Sequence, residues 1–276
     1  MSLLESVFYG LVSGIAEFLP VSARAHQVVM RYMFGVGQKT FLQELFLHIG
    51  LLVAIIFANR DFLSALKREN RKRVSPRRSR TPVVRSAAYY DLRLLKTASA
   101  TLLLGLVLSI ANSGFENNLL LIMAFLLLNA TVLLLAEHTS RGNRDARTMT
   151  GLDGIVMGIL GAFSVLPGVS RTGMLVSYTA ARGADMKRAA DWAVVLGLPA
   201  VGLMIIFDFA GLFTVGAGVV TFLVVLSCIL SGVAAFCGGY VGMKLLRTVL
   251  THSGFAGFAY YSIGAALFTF ILYLIT

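Results

Sequence analysis

Glu17, Ser22, Arg24 and His26, four residues able to move a proton or bind phosphate, fall within ten positions of one another in AEFLPVSARAH, inside a stretch otherwise apolar. A second cluster, PGVSRTG at 167–173, sets Ser170, Arg171 and Thr172 between Gly168 and Gly173. Its glycines permit tight backbone turns, and a helix starting near Ser170 would present free N–H groups as an anion site. Arg171 adds a planar fork that matches phosphate oxygens and stays charged in a poorly hydrated pocket. This is chemistry for holding a phosphate. A lone carboxylate at membrane depth is functional by default, which singles out Glu17; snorkelling to the outer surface, or pairing with Arg24 as a packing device, is the structural alternative. His26, whose unperturbed pKa lies near neutrality, suits a general acid, a base or a nucleophile. His48, one helical turn after Glu44 in QELFLHIGLL, either packs between helices or shares with Glu44 a face that looks into a cavity. Asp153, Asp191 and Asp208 sit toward the ends of apolar segments, where interface positions explain them without a catalytic role. No metal-binding loop is spelled out, so a divalent cation would have to be recruited by Glu17 and a substrate phosphate together.

Such residues need a scaffold, and the composition says which. With 57% hydrophobic and 13% charged residues and a mean hydropathy of +0.81, the chain is an all-α polytopic membrane protein with no soluble domain. The net charge of +11 does not indicate nucleic acid, because residues 60–96 hold twelve Lys/Arg against three acids. That segment reads as a solvated, flexible cytoplasmic connection with some attraction to anionic membrane lipids. Cys228 and Cys237 lack metal-ligand spacing and read as packing residues. MSLLESVFYG has no basic n-region and is expected to be a mature start.

Apolar runs able to cross a bilayer cover roughly 42–58, 97–113, 118–136, 189–211, 217–238 and 257–276. Two further segments, 3–35 and 152–182, are apolar at both ends and broken in the middle by LPVSARAH and LPGVSRTG. Irregular backbone at membrane depth is tolerated only where protein or a water-filled cavity satisfies it, so both breaks are expected to be buried or to line a cavity. The reading is one integral membrane domain over 1–276, with six transmembrane helices plus two re-entrant helical hairpins in an inverted repeat. Its parts are a first hairpin and crossing (1–58), the basic loop (59–96), two crossings (97–136), a second hairpin and crossing (152–211) and two crossings (217–276). Charge asymmetry puts 60–96, 137–151 and 240–256 in the cytoplasm and both termini outside. FLPVSAR and VLPGVSR share Leu-Pro, a serine and an arginine, and the two breaks are expected to meet near the midplane.

At these motifs the chain resembles the undecaprenyl-diphosphate phosphatases of the bacitracin-resistance type. The family pattern EGxTEFLPVSSTGH is matched by SGIAEFLPVSARAH at 13–26, PGxSRSGxT by PGVSRTGML at 167–175, and FLHIGLLVAIIF resembles a third family stretch. The resemblance runs along essentially the whole chain. It implies a multi-pass enzyme of the bacterial plasma membrane, with its site open to the outer face. The reaction implied removes the terminal phosphate of undecaprenyl diphosphate, in recycling of the cell-wall lipid carrier, usually with a divalent cation such as Mg2+ or Ca2+. Carried over by position, Glu17, Ser22, His26, Ser170 and Arg171 are the catalytic candidates, with Glu17 also the metal candidate. Arg24, His48, Gly168, Thr172 and Gly173 are the phosphate-binding candidates. The departures are Ser13 for the first motif glutamate, Ala23 for the second serine, Arg24 for the threonine, Ala25 for the glycine and Leu175 for a threonine; Gly161 lacks a Gln or Glu side chain common there. Alanine cannot attack phosphorus, so the attacking group is left among His26, Ser22 and a water activated by Glu17 and His26, with Arg24 supplying fixed positive charge. A non-hydrolytic prenyl-phosphate transporter or flippase on the same fold is the alternative. The expected partners are a polyprenyl diphosphate lipid and membrane lipids, with no nucleic acid; a homodimer stays open.

Overall fold

The structure is a computed structural model that describes residues 1–36, 40–74, 85–110, 118–139, 142–216 and 218–276. The described residues form twelve α-helices: α1 Leu3–Phe18, α2 Ala23–Met33, α3 Phe41–Ala58, α4 Arg60–Val74, α5 Ala87–Ile110, α6 Leu119–Glu137, α7 Gly151–Ala162, α8 Arg171–Ala181, α9 Met186–Val195, α10 Gly197–Thr214, α11 Phe222–His252 and α12 Ala256–Ile275. Five helical stretches are long and apolar enough to cross a membrane: α3, α6, the α9–α10 run, α11 and α12. The expected crossing over 97–113 falls on α5, and its last three residues lie outside the described residues. The basic connection differs from expectation in part. Residues 60–74 are helical, because Phe62, Leu63 and Leu66 pack on the core while Lys67, Arg68, Arg71 and Lys72 stay exposed. Cys228 is buried and Cys237 exposed, both unpaired.

Both expected breaks exist. The first separates α1 from α2 at Leu19–Ser22, and the second separates α7 from α8, beginning with a 3-10 turn at Phe163–Val165. Pro20 and Pro167 remove backbone donors there, and each following helix restarts on a serine, Ser22 or Ser170.

Packing recurs with the two halves of the chain exchanged: α1 lies along α11 and α7 along α5, α3 also packs on α11 and α10 on α5, and α6 pairs with α12. Lipid supplies no hydrophobic drive between helices, so close backbone approach has to hold them. The sequence provides it twice with the same spacing. Gly10 and Gly14 on α1 meet the backbone of Ser231 and Ala235, and Gly154 and Gly158 on α7 meet that of Leu94 and Ala98. A Cβ on Gly14 would stand 2.5 Å from the Ala235 carbonyl oxygen.

At one end of the bundle, polar pairs tie element ends together. Trp192 Nε1 donates to Asp91 Oδ1 at 2.8 Å, Arg247 Nε to Asp191 Oδ1 at 2.9 Å, and Arg247 also reaches Asn59. Arg93 donates to the Met149 carbonyl at 2.8 Å, and Glu137 accepts from the N–H groups of Phe255 and Ala256. Asp153 closes a capping box with Thr150 and takes hydrogen bonds from Tyr178 and Arg182, both at 2.7 Å.

Candidate active site

The two breaks meet, and the hydrogen bonds between them are specific. Gly168 N–H donates to Ser22 Oγ at 3.0 Å, Ser170 Oγ to the Leu19 carbonyl at 3.2 Å, and Thr172 Oγ1 to the Glu17 carbonyl at 3.3 Å. Asn129, on α6 and buried, bridges them from the side. Its Nδ2 donates to the Pro20 carbonyl at 2.9 Å, while its Oδ1 accepts from Ser170 N–H at 3.0 Å. Backbone groups freed by each break are thus satisfied by the other break or by one amide, as an apolar surround demands.

Beside this junction opens a cavity of about 110 Å³, whose wall includes Glu17, Ser22, Arg24, Arg31, His48 and Arg171. Arg171 Nη1 lies 2.9 Å from Glu17 Oε1, and the arginine side chain is only 5% exposed. Its Nε and Nη2 are buried with no hydrogen-bond partner. Unpaired donors of that kind are destabilising by about 1–3 kcal/mol each, more when charged; Nη2 packs toward Gly197 of α10, where an added Cβ would stand 3.0 Å from it. Two helix N-termini add to the positive charge of Arg171: α2 begins at Ala23 and α8 at Arg171, so the positive ends of both helices converge on the junction. Ser22 carries φ +65°, a left-handed conformation rare outside glycine, and among the described residues it is the one non-glycine with positive φ. Its hydroxyl does not cap its own helix, being turned to Gly168.

Placed on this frame, the sequence candidates divide. Glu17, Ser22, Arg24, His48, Ser170 and Arg171 line the cavity. Arg24 spans it, with Nη1 3.4 Å from the Val165 carbonyl and Nη2 3.4 Å from the Met204 sulfur. Glu17 pairs with Arg171 and not with Arg24. His26 is turned away: Nδ1 lies 2.8 Å from the Ser22 carbonyl, Nε2 lies 2.7 Å from the Tyr261 hydroxyl, and the ring stacks on Tyr261 of α12. With one ring nitrogen on the Ser22 carbonyl and the other on Tyr261, it anchors the start of α2 to α12. Gly168, Thr172 and Gly173 lie behind the cavity wall. Gly168, at φ +122°, approaches α6 so closely that a Cβ would meet Phe125 at 2.6 Å; its N–H and that of Gly173 are taken by Ser22 and Ser170. Ser170 likewise spends its hydroxyl on Leu19 and Gly173.

Asp208 departs from the interface position expected of it. It lines the cavity and accepts from His48 Nδ1 at 2.6 Å. Glu44, as its spacing with His48 suggested, also lines the cavity and accepts from Tyr9 Oη at 2.6 Å. The sequence gives Asp208 only an interface position, and Asn129 and Arg31 no role at all. The signal for the first two was there: a single polar side chain inside an apolar run, in MIIFDFAG and FLLLNATVLLL, is expensive unless it has a partner. Among the described residues no group of three His, Cys, Asp or Glu is arranged to hold a metal ion. Glu17 alone offers a carboxylate edge beside Arg171, which fits a cation carried in by phosphate oxygens and not a resident one.

The family model described as bacitracin resistance protein BacA matches residues 6–268. Similar curated proteins include an undecaprenyl-diphosphatase of Alkaliphilus metalliredigens, 26% identical over 95% of each chain. Another is the undecaprenyl-diphosphatase of Carboxydothermus hydrogenoformans, 25% identical over 95% of this chain and 94% of its own. A third, of Treponema denticola, is 27% identical over 95% and 94% respectively.

Proposed function

The chain belongs to the bacitracin resistance protein BacA family, and on that premise we propose that it is an undecaprenyl-diphosphatase, releasing the terminal phosphate of undecaprenyl diphosphate and returning undecaprenyl phosphate to the lipid-carrier pool. The observation that carries this reading is the buried Arg171 guanidinium, held by Glu17 at the wall of a cavity where two helix N-termini converge. A diphosphate bound there would meet fixed positive charge on that wall. Arg171 takes the terminal phosphate, Arg24 faces the same space from α2, and the prenyl tail remains in lipid. Charge that develops on the bridging oxygen as the P–O bond breaks is met by fixed guanidinium and helix-end dipoles, which need no reorganisation. Ala23 offers no nucleophile, His26 is committed to Tyr261, and the Ser22 hydroxyl ties down Gly168, so the attack is assigned to a water. Glu17 would hold Mg2+ or Ca2+ together with diphosphate oxygens, where the ion would neutralise phosphate charge.

The fold we infer has six crossings, with α5 as the sixth, and two re-entrant hairpins, α1–α2 and α7–α8, related as inverted repeats. The exchanged packing and the shared glycine spacing support it. Orientation is supported by the polar pairs at one end of the bundle. They join Asn59, Asp91, Met149, Asp191 and Arg247, which charge parity puts on the cytoplasmic side together. The hairpin junction then opens outward.

Purified protein given undecaprenyl diphosphate, with and without Mg2+ and after chelation, tests the function. Phosphate release is expected, lowered by chelation and restored by Mg2+. Arg171→Lys, which keeps charge but loses the fork, is expected to lower kcat/KM by ~100-fold, the scale of one lost electrostatic stabiliser. Release no greater than that of Arg171→Ala would overturn the reading; transport of a labelled prenyl phosphate in vesicles would then favour the flippase.

A further inference from the structure

Resting on that phosphatase reading, we infer that His48 and Asp208 form the dyad that activates the attacking water, His48 as general base and Asp208 as its positioning residue. Glu17, the motif carboxylate, is engaged by Arg171, and both ring nitrogens of His26 are occupied, Nδ1 on the Ser22 carbonyl and Nε2 on the Tyr261 hydroxyl of α12. Of the four histidines, His138 and His252 lie at exposed helix ends, so His48 is the one imidazole on the cavity wall. It stands two turns into α3, and Asp208 faces it from α10, the helix packed alongside. The side chains are 16% and 10% exposed, and the Nδ1–Oδ2 separation is 2.6 Å. A carboxylate at that distance fixes Nδ1 as the protonated nitrogen and leaves the Nε2 lone pair as the acceptor. This is the arrangement by which a carboxylate orients an imidazole and stabilises the imidazolium that forms, and it recurs on unrelated folds. Nothing in a merely structural pair requires it to be built at the wall of a phosphate cavity, between two helices that would otherwise meet through apolar side chains.

The step balances without a further reactant. Water gives a proton to His48 Nε2 as its oxygen bonds to the terminal phosphorus. The bond from that phosphorus to the bridging oxygen breaks, and the electron pair leaves on undecaprenyl phosphate. The imidazolium, paired with Asp208, then returns its proton to solvent. The charged groups that share the cavity with His48 are Glu17 from α1, Arg24 and Arg31 from α2, Glu44 from α3 itself, Arg171 from α8 and Asp208 from α10. Of these, Asp208 alone makes a hydrogen bond to the ring.

The test is phosphate release against pH by the purified full chain with farnesyl diphosphate, alongside binding of its non-hydrolysable methylene-diphosphonate analogue. His48→Gln is expected to lower kcat by about 100- to 10,000-fold, the range of a lost general base, with KM and analogue binding within threefold. Asp208→Asn is expected to lower kcat and to move the acid limb of the profile to lower pH, because the imidazole loses the carboxylate that favours its protonated form. A purely structural Asp208 would leave that limb in place. Wild-type kcat in His48→Gln, or an unmoved acid limb in Asp208→Asn, overturns the dyad. So does loss of analogue binding in His48→Gln, which would make His48 a binding group. If instead the wild-type chain releases no phosphate, the phosphatase reading itself fails.

Discussion

Asn129 is the side chain whose removal is expected to separate the two halves of the site. Asn129→Ala takes a donor from the Pro20 carbonyl and an acceptor from Ser170 N–H, which lie 2.9 and 3.0 Å from the amide. Asn129 itself is 1% exposed, and water has little access to replace it. Two backbone groups left unpaired in a dry surround cost about 1–3 kcal/mol each, so the variant is expected to lose ~2–6 kcal/mol before any cavity contribution. Asn129→Asp keeps an acceptor for Ser170 but sets a buried carboxylate against the Pro20 carbonyl, and is expected to be at least as destabilising as Asn129→Ala at neutral pH. Equilibrium unfolding in mixed micelles reads the stability, and phosphate release reads the site. If Asn129→Ala unfolds within ~0.5 kcal/mol of wild type, below the smallest value expected for even one orphaned group, the bridge does not hold the breaks together and the reasoning fails.

Two further predictions concern the scaffold. Gly14→Val on α1 and Gly158→Val on α7 are each expected to destabilise by ~1–3 kcal/mol or more, since a side chain would drive into the α11 or α5 backbone. Gly264→Val on α12, where nothing stands within 4 Å, serves as the matched control, and equal losses at all three positions in the same unfolding assay would refute the close-approach argument. At the loop end of α7, burial alone would raise the Asp153 carboxyl, but hydrogen bonds from the Thr150 backbone, Tyr178, Arg182 and the Thr150 hydroxyl hold it well below the usual carboxylate range. A depressed folded value means stability that is fully present above the unfolded pKa of about 3.9 and lost as pH falls through the folded one. Asp153→Asn is therefore expected to lower the unfolding midpoint at pH 7 and to close the gap with wild type as pH drops below about 4; a gap independent of pH would refute it.

Five of the helical spans were legible because a stretch long and apolar enough to cross a membrane announces itself by length and hydropathy. The reading of 42–58 becomes Phe41–Ala58 and that of 118–136 becomes Leu119–Glu137. The two breaks were legible for the opposite reason, proline beside polar residues at membrane depth. What spacing could not give was rotation. His26 and Glu17 lie on consecutive helices of one hairpin, yet one faces α12 and the other Arg171, a difference set by how α2 turns after Ser22. Asp208 was discounted because an acid near the end of a crossing has a ready explanation at the interface; only the packing of α10 on α3 puts it against His48. Asn129 bonds Pro20, 109 positions before it in the chain, a relation no local pattern encodes.

The exchanged packing has a consequence for biosynthesis. The glycine face of α1, made before α11, rests on that helix, whose first residue is Phe222. Until that helix is made and inserted, the hairpin that carries Glu17 has no partner for its Gly10–Gly14 surface and must wait in the membrane. The α7 hairpin finds α5 already in place. The two halves of the junction are thus locked at different times, the earlier-made half last, and a chain interrupted before Phe222 would carry every residue of the dyad and the junction while the glycine face of α1 still lacked its partner.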